Sequence, residues 1–197
     1  MHQLIVRILD IKKVQADEKL FLKELTLYQI KKSKRFKIIT DYYRSVSAYY
    51  LINKYTAKNP LRSNKYGKPV KKNEQFNIAH SGDLVVFVKY DKPIGVDIEQ
   101  IRDYKPELVK RVCNEQDKVQ IVKKEDFFIA WTQKESLMKC IGTGFAKYNV
   151  RDIPAYPIGL KIFKNEVYYS KILRVDNYIV SINVRDNADF SVNIIYE

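Results

Sequence analysis

Cysteine and histidine are scarce in these 197 residues, with two of each. Cys113 and Cys140 lack metal-ligand spacing and sit among apolar neighbours, which points to buried free thiols in a reducing compartment rather than a disulfide. Long apolar runs are lacking too. No stretch approaches the ~20 residues of a membrane span, and the apolar run within Met1–Arg7 is too short for a signal peptide. We therefore expect a soluble, cytoplasmic protein with no membrane partner. Negative charge is also short: 23 Asp and Glu face 36 Lys and Arg, a formal net charge of +13. That balance suits polyanionic partners, among them nucleic acid, anionic membrane, phosphorylated ligands and acidic proteins. Charge alone does not choose.

What is present is enough for a core. Hydrophobic residues make up 46% of the chain and aromatics 13%, including 15 tyrosines, so wholesale disorder is excluded. The first ten residues alternate like a strand. From Glu18 to about Asn53 the apolar spacing turns helical, interrupted by the basic stretch Lys31–Lys37. Asn59-Pro60 and Tyr66-Gly67-Lys68-Pro69 mark loops. Gln75–Ser81, Leu84–Tyr90 and Ile94–Glu99 then read as three strands with turns between them, an antiparallel meander. Pro106 opens a helix, and Glu125–Ile141 is the best amphipathic helix in the chain, stopped at Gly142. Gly159–Phe163, Val167–Val175, Tyr178–Val184 and Phe190–Tyr196 read as strands. The whole is an α+β protein, with a division into residues 1–100 and 101–197 as two related α+β halves.

The chemistry concentrates on a few acids. Asp97 and Glu99 are two apart on a strand, so both side chains leave one face while Val96 and Ile98 enter the core. Paired carboxylates repel unless a cation lies between them, and an oxygen-only donor set suits magnesium. A solvent-facing edge strand explains the pair equally well. On the long helix Glu135 lies beside Trp131 at the margin of the apolar stripe, with Lys139 one turn on. An ordinary helical salt bridge is the plain alternative. Lys134, on the neighbouring face, is expected to be solvated. His80 ends a strand; Ser81 points to the opposite face, which argues against a His-Ser hydrolase pair.

Taken together and in order, these segments resemble the 4'-phosphopantetheinyl transferases of the surfactin-synthetase activating type. The resemblance rests on Gly67-Lys68-Pro69, Phe76-Asn77-Ile78-Ala79-His80-Ser81, Gly95-Val96-Asp97-Ile98-Glu99, the helix Trp131-x-x-Lys134-Glu135-x-x-x-Lys139, and Gly142-x-Gly144. It spans roughly residues 65–145. It implies a pseudo-dimeric fold of two similar halves with the active site at their junction. It also implies transfer of phosphopantetheine from coenzyme A to a serine of an apo acyl or peptidyl carrier protein, as in holo-[acyl-carrier-protein] synthases, with release of 3',5'-ADP.

By matching positions, Asp97, Glu99 and Glu135 would hold Mg2+, and Glu135 would help take the serine proton. Lys139 would neutralise the pyrophosphate, while Lys32, Arg44, Lys68 and His80 would grip the 3'-phosphate and adenosine end of coenzyme A. A monomer without a nucleic-acid partner is implied. Two positions depart from the family pattern. Ala79 stands where the family has serine, a loss of about one hydrogen bond, on the order of 1 kcal/mol. The acid expected after Arg111-Val112 is either Asp117 or Glu115. A metal-dependent nuclease and a tyrosine-stacking nucleic-acid binder are the rival readings. Neither uses the Phe-Asn-Ile-x-His segment, and the binder leaves the acidic pair without a role.

Overall fold

The structure, a computed structural model, describes residues 2–197 apart from the His2 side chain; Met1 lies outside the described residues. The opening alternation forms strand β1 (His2–Asp10), with Leu4, Val6 and Ile8 buried on one face and Leu9 on the other. The Asp10 carboxylate then accepts the Lys12 N–H and starts a short helix, α1 (Ile11–Ala16), that apolar spacing did not reveal. The helical stretch that follows divides into α2 (Glu18–Leu22), α3 (Leu27–Ser33) and α4 (Ile39–Tyr55). A capping box between Thr26 and Gln29 begins α3. The basic stretch forms the end of α3 and the exposed turn after it.

A two-stranded ribbon, β2 (Arg62–Ser63) with β3 (Pro69–Val70), occupies the loop region. Strands β4 (Gln75–Ser81), β5 (Leu84–Tyr90) and β6 (Ile94–Gln100) follow where the alternation put them. Helix α5 (Pro106–Val112) comes next, then α6 (Glu115–Val119), which the sequence reading did not anticipate. The long helix is α7 (Lys124–Ile141), closed by Gly142 in the left-handed region at φ 84°. The chain ends with β7 (Gly159–Phe163), β8 (Glu166–Val175), β9 (Tyr178–Val184) and β10 (Phe190–Tyr196).

Pairing departs from the expected meander. β4 and β5 form a hairpin, but β6 does not join it; it pairs antiparallel with β9. The sheets run β10-β1-β5-β4 and β6-β9-β8-β7, with β10 parallel to β1. A cut at residue 100 therefore follows neither sheet, because β6 and β10 each cross to the sheet built mainly from the other segment of chain. The edge strands β4 and β6 still meet. Asn77 Oδ1 accepts the Val96 N–H at 2.9 Å, and Ser81 Oγ accepts the Gln100 N–H at 3.1 Å. Side chains of β4 thus satisfy the backbone donors of β6 that no neighbouring strand reaches.

The sheets pack face to face and helices cover their outer faces. Val86 and Val88 of β5, Val96 and Ile98 of β6, and Val180 and Ile182 of β9 share the central core. The alternate residues Val85 and Phe87 turn outward onto α4, with Val46 and Ile52. Burial on both faces explains why Leu84–Val88 is continuously apolar. On the second sheet, α7 lies over β6 and β9. Cys113 and Cys140 are both buried and unpaired, as the spacing implied.

Gly95 sets the depth of that packing. A Cβ built there would lie 2.0 Å from the Ser136 carbonyl oxygen and 2.3 Å from the Cys140 nitrogen, both backbone atoms that cannot swing aside. Gly95→Ala is therefore expected to push α7 off β6 and cost on the order of 3 kcal/mol. Urea unfolding checks it; an unchanged midpoint would contradict the close approach.

Candidate active site

A cleft of about 1100 Å³ opens between α3, α4, the 58–69 loop and the end of β4. Its lining includes Lys32, Arg44, His80 and Lys139, four of the five residues expected to hold the cofactor. Lys32 projects from the last turn of α3 and is exposed. Arg44 is fixed by its partners: Nη1 donates to Asp41 Oδ1 at 2.7 Å, while Nε and Nη2 both donate to the Gly82 carbonyl at 2.9 and 2.7 Å. Asp41 also lines the cleft. His80 stands beside them, exposed at its strand's end. The surrounding walls desolvate its ring, and Arg44 and Lys139 add positive charge, so its pKa is held below the usual imidazole range. It is a neutral donor or acceptor at physiological pH.

The acidic group lies where β6 meets α7. Asp97 is on the face of β6 turned from the central core, as the period of two required, and is 5% exposed. Lys139 Nζ donates to Asp97 Oδ1 at 2.6 Å. Burial pushes the Asp97 carboxyl up to about 7; Lys139 opposes that rise, while Glu135 and Glu99 add to it. Glu135 is likewise raised, by desolvation first, with Lys139 lowering it and Glu99 raising it. Desolvation works against the charge on Lys139, but Asp97, Glu135 and Glu99 outweigh it and raise its pKa. Glu99 is engaged elsewhere, accepting from Ser81 Oγ and from Arg102 Nη1, both at 2.9 Å. Ser81 is thus engaged on both sides, donating to Glu99 and accepting from the Gln100 N–H. It bridges β4 to β6 and orients Glu99, a role that strand spacing did not suggest.

Asp97, Glu99 and Glu135 are the expected magnesium ligands. Among the described residues, no group of three His, Cys, Asp or Glu is close enough to enclose a metal ion. The donor chemistry nevertheless fits. Asp97 Oδ2 is buried with no hydrogen-bond partner, the surrounding acids are all oxygen donors, and their mutual repulsion calls for a cation. Lys139 is the cation that meets Asp97 in the protein alone.

Two lysines lie differently from the sequence expectation. Lys68 does not line the cleft. Its Nζ donates to the carbonyls of Ile94 at 3.2 Å and Lys139 at 2.7 Å, tying the loop to β6 and α7, and burial lowers its pKa. Lys134, expected to be solvated, is fully buried. Its Nζ lies 2.7 Å from Asp117 Oδ2 and also donates to the carbonyls of Val150 and Ile153. Asp117, not Glu115, is therefore the acid that α7 meets; Glu115 is exposed and pairs with Lys118. No local signal marks this pair, because α6 is short and its partner lies 17 residues on.

The family model described as the 4'-phosphopantetheinyl transferase superfamily matches residues 93–175, a stretch that contains Asp97, Glu99, Glu135 and Lys139. The 4'-phosphopantetheinyl transferase gsp of Aneurinibacillus migulanus is 37% identical over 125 residues, 56% of this chain and 53% of its own length. The 4'-phosphopantetheinyl transferase Sfp of Bacillus subtilis (strain 168) is 32% identical over 90 residues, 41% and 40% of the two chains. The chain thus matches about half the length of these curated relatives, or less. The holo-[acyl-carrier-protein] synthase structure from Thermotoga maritima aligns with 49% of this chain and 64% of its own at 14% identity and a TM-score of 0.37, too weak a likeness to build on. On its motifs, the match over residues 93–175 and these relatives, the chain is similar to the 4'-phosphopantetheinyl transferases, as its sequence resemblance implied.

Proposed function

We propose that this protein transfers the 4'-phosphopantetheine group of coenzyme A to a serine of an apo acyl or peptidyl carrier protein, releasing 3',5'-ADP. The observation that carries the reading is the buried Asp97 carboxylate, whose Oδ2 has no hydrogen-bond partner while its Oδ1 accepts from Lys139, a residue of the cleft that also holds Lys32, Arg44 and His80. We read β4 and β6, the adjoining edges of the two sheets, as the junction of two pseudo-symmetric halves within a monomer.

Phosphoryl transfer to an alcohol needs a base, a positioned nucleophile and neutralisation of the leaving charge. Glu135 supplies the base: a carboxylate raised above its ordinary range takes the serine proton more readily than a solvated one. As the serine oxygen bonds to the β-phosphorus, the bond from phosphorus to the bridging oxygen breaks and its electron pair leaves on 3',5'-ADP. Lys139 meets that charge from the cleft wall. Arg44, held on two sides, and neutral His80 position the nucleotide end, with Lys32 at the rim for the 3'-phosphate. Magnesium, held by Asp97, Glu99 and Glu135, would neutralise the pyrophosphate.

Calorimetric titration with coenzyme A tests the assignment before any turnover. Saturable binding is expected. Lys32→Ala should weaken it about tenfold, the worth of one charged phosphate contact, and should leave binding of 3'-dephospho-coenzyme A unchanged. No binding of coenzyme A by the unaltered protein would sink the proposal.

A further inference from the structure

The end of α3 and the turn between α3 and α4 carry a surface of which the transferase reading uses only Lys32. From Lys31 to Ile39 every residue except Ser33 is exposed, and five of the nine are cationic: Lys31, Lys32, Lys34, Arg35 and Lys37. Among the described residues none of these five takes part in an ion pair. Among them stand apolar side chains that a soluble surface rarely leaves open: Ile38 is 61% exposed, Ile39 60% and Phe36 50%, with Leu27 at 79% and Tyr28 at 70% on the preceding helix. Tyr28, Lys32 and Phe36 all border the cleft, so the turn and the outer side of α3 form one rim. The segment is built rather than frayed. Ser33 is buried and its Oγ lies 2.8 Å from Ser45 Oγ of α4, anchoring the base of the turn.

Of those cations only Lys32 lines the cleft, and none of that chemistry needs Ile38 or Ile39. We infer that the Leu27–Ile39 rim docks on an anionic lipid bilayer, its lysines and Arg35 on the headgroups and Phe36, Ile38 and Ile39 in the layer beneath. Interleaved cations and bulky apolar groups on one exposed turn satisfy both halves of a charged interface. A nucleic-acid backbone would use the charge and leave the isoleucines in water. No described helix is long and apolar enough to span a membrane, and surface docking needs none. The sequence expectation of no membrane partner rested on the lack of a spanning stretch and of a signal peptide, neither of which bears on surface docking.

Flotation with lipid vesicles tests the inference on the full chain. Binding is expected to vesicles of phosphatidylcholine mixed with phosphatidylglycerol, not to phosphatidylcholine alone, and to fall at high salt. Lys34→Gln/Arg35→Gln/Lys37→Gln should weaken partition on the order of a hundredfold. Ile38→Ser/Ile39→Ser should weaken it on the order of tenfold or more, with circular dichroism confirming that both variants fold. Absence of flotation would overturn the inference. So would flotation that survives the isoleucine changes, or tight binding to a short DNA duplex by a protein that ignores the vesicles.

Discussion

Asp97→Asn is expected to lower carrier modification by about 10³-fold, the scale of losing one preorganised electrostatic contact, while the protein becomes more stable at alkaline pH. Both effects have one cause. The native carboxyl titrates at about 7, far above an ordinary aspartate, because burial opposes its charge more than Lys139 favours it. The folded protein therefore holds a proton that the unfolded chain gives up near pH 4. The stability linked to that proton is fully present below about pH 4 and is lost as pH rises through about 7. Asparagine keeps the shape and removes the titration, so above pH 7, without magnesium or coenzyme A, the variant should outlast the unaltered protein in urea. Turnover and urea midpoints across pH check both parts. Near-native rates would contradict the site, and a variant less stable at pH 8 would contradict the electrostatic account. Glu135→Ala should likewise abolish turnover with the fold intact.

Lys134→Met is expected to cost about 3–5 kcal/mol, the range for leaving one member of a buried ion pair without its partner. Lys134 and Asp117 have side chains 0% and 3% exposed, so no solvent reaches the carboxylate once the ammonium is gone. The carbonyls of Val150 and Ile153 lose a donor at the same time. Lys134→Met/Asp117→Leu should recover much of the loss, because two apolar groups replace two charges in the same space. Urea unfolding of the two single variants and the double variant measures the coupling. A loss below about 1 kcal/mol in Lys134→Met, the range of an exposed pair, would mean that the lysine is solvated after all.

These two positions show where the sequence could be read and where it could not. Asp97 was legible because a strand's period of two is local: Gly95, Asp97 and Glu99 had to share one face and Val96 and Ile98 the other. The bounds of β4, β5, β9 and β10 were legible for the same reason. Pairing was not. Nothing near Ile94 says that β6 will bond to Tyr178–Val184, more than 80 residues on, rather than to the hairpin beside it. Lys134 was misplaced because helical spacing ranks it by its neighbours on α7, whereas its burial depends on Asp117 of α6 and on the 150–153 turn. Lys68 escaped in the same way: the carbonyls that take its ammonium belong to β6 and α7. The residues grouped by local periodicity landed together, and those assigned by motif position alone divided between the cleft and the scaffold.

The most direct measurement of the central claim is the intact mass of an apo carrier protein after incubation with this protein, coenzyme A and magnesium, beside a chelator-treated sample. A gain of one phosphopantetheine arm, abolished by the chelator and absent with Asp97→Asn, is the predicted result. Carriers of the fatty-acid, polyketide and nonribosomal-peptide types that all keep their starting mass would contradict it.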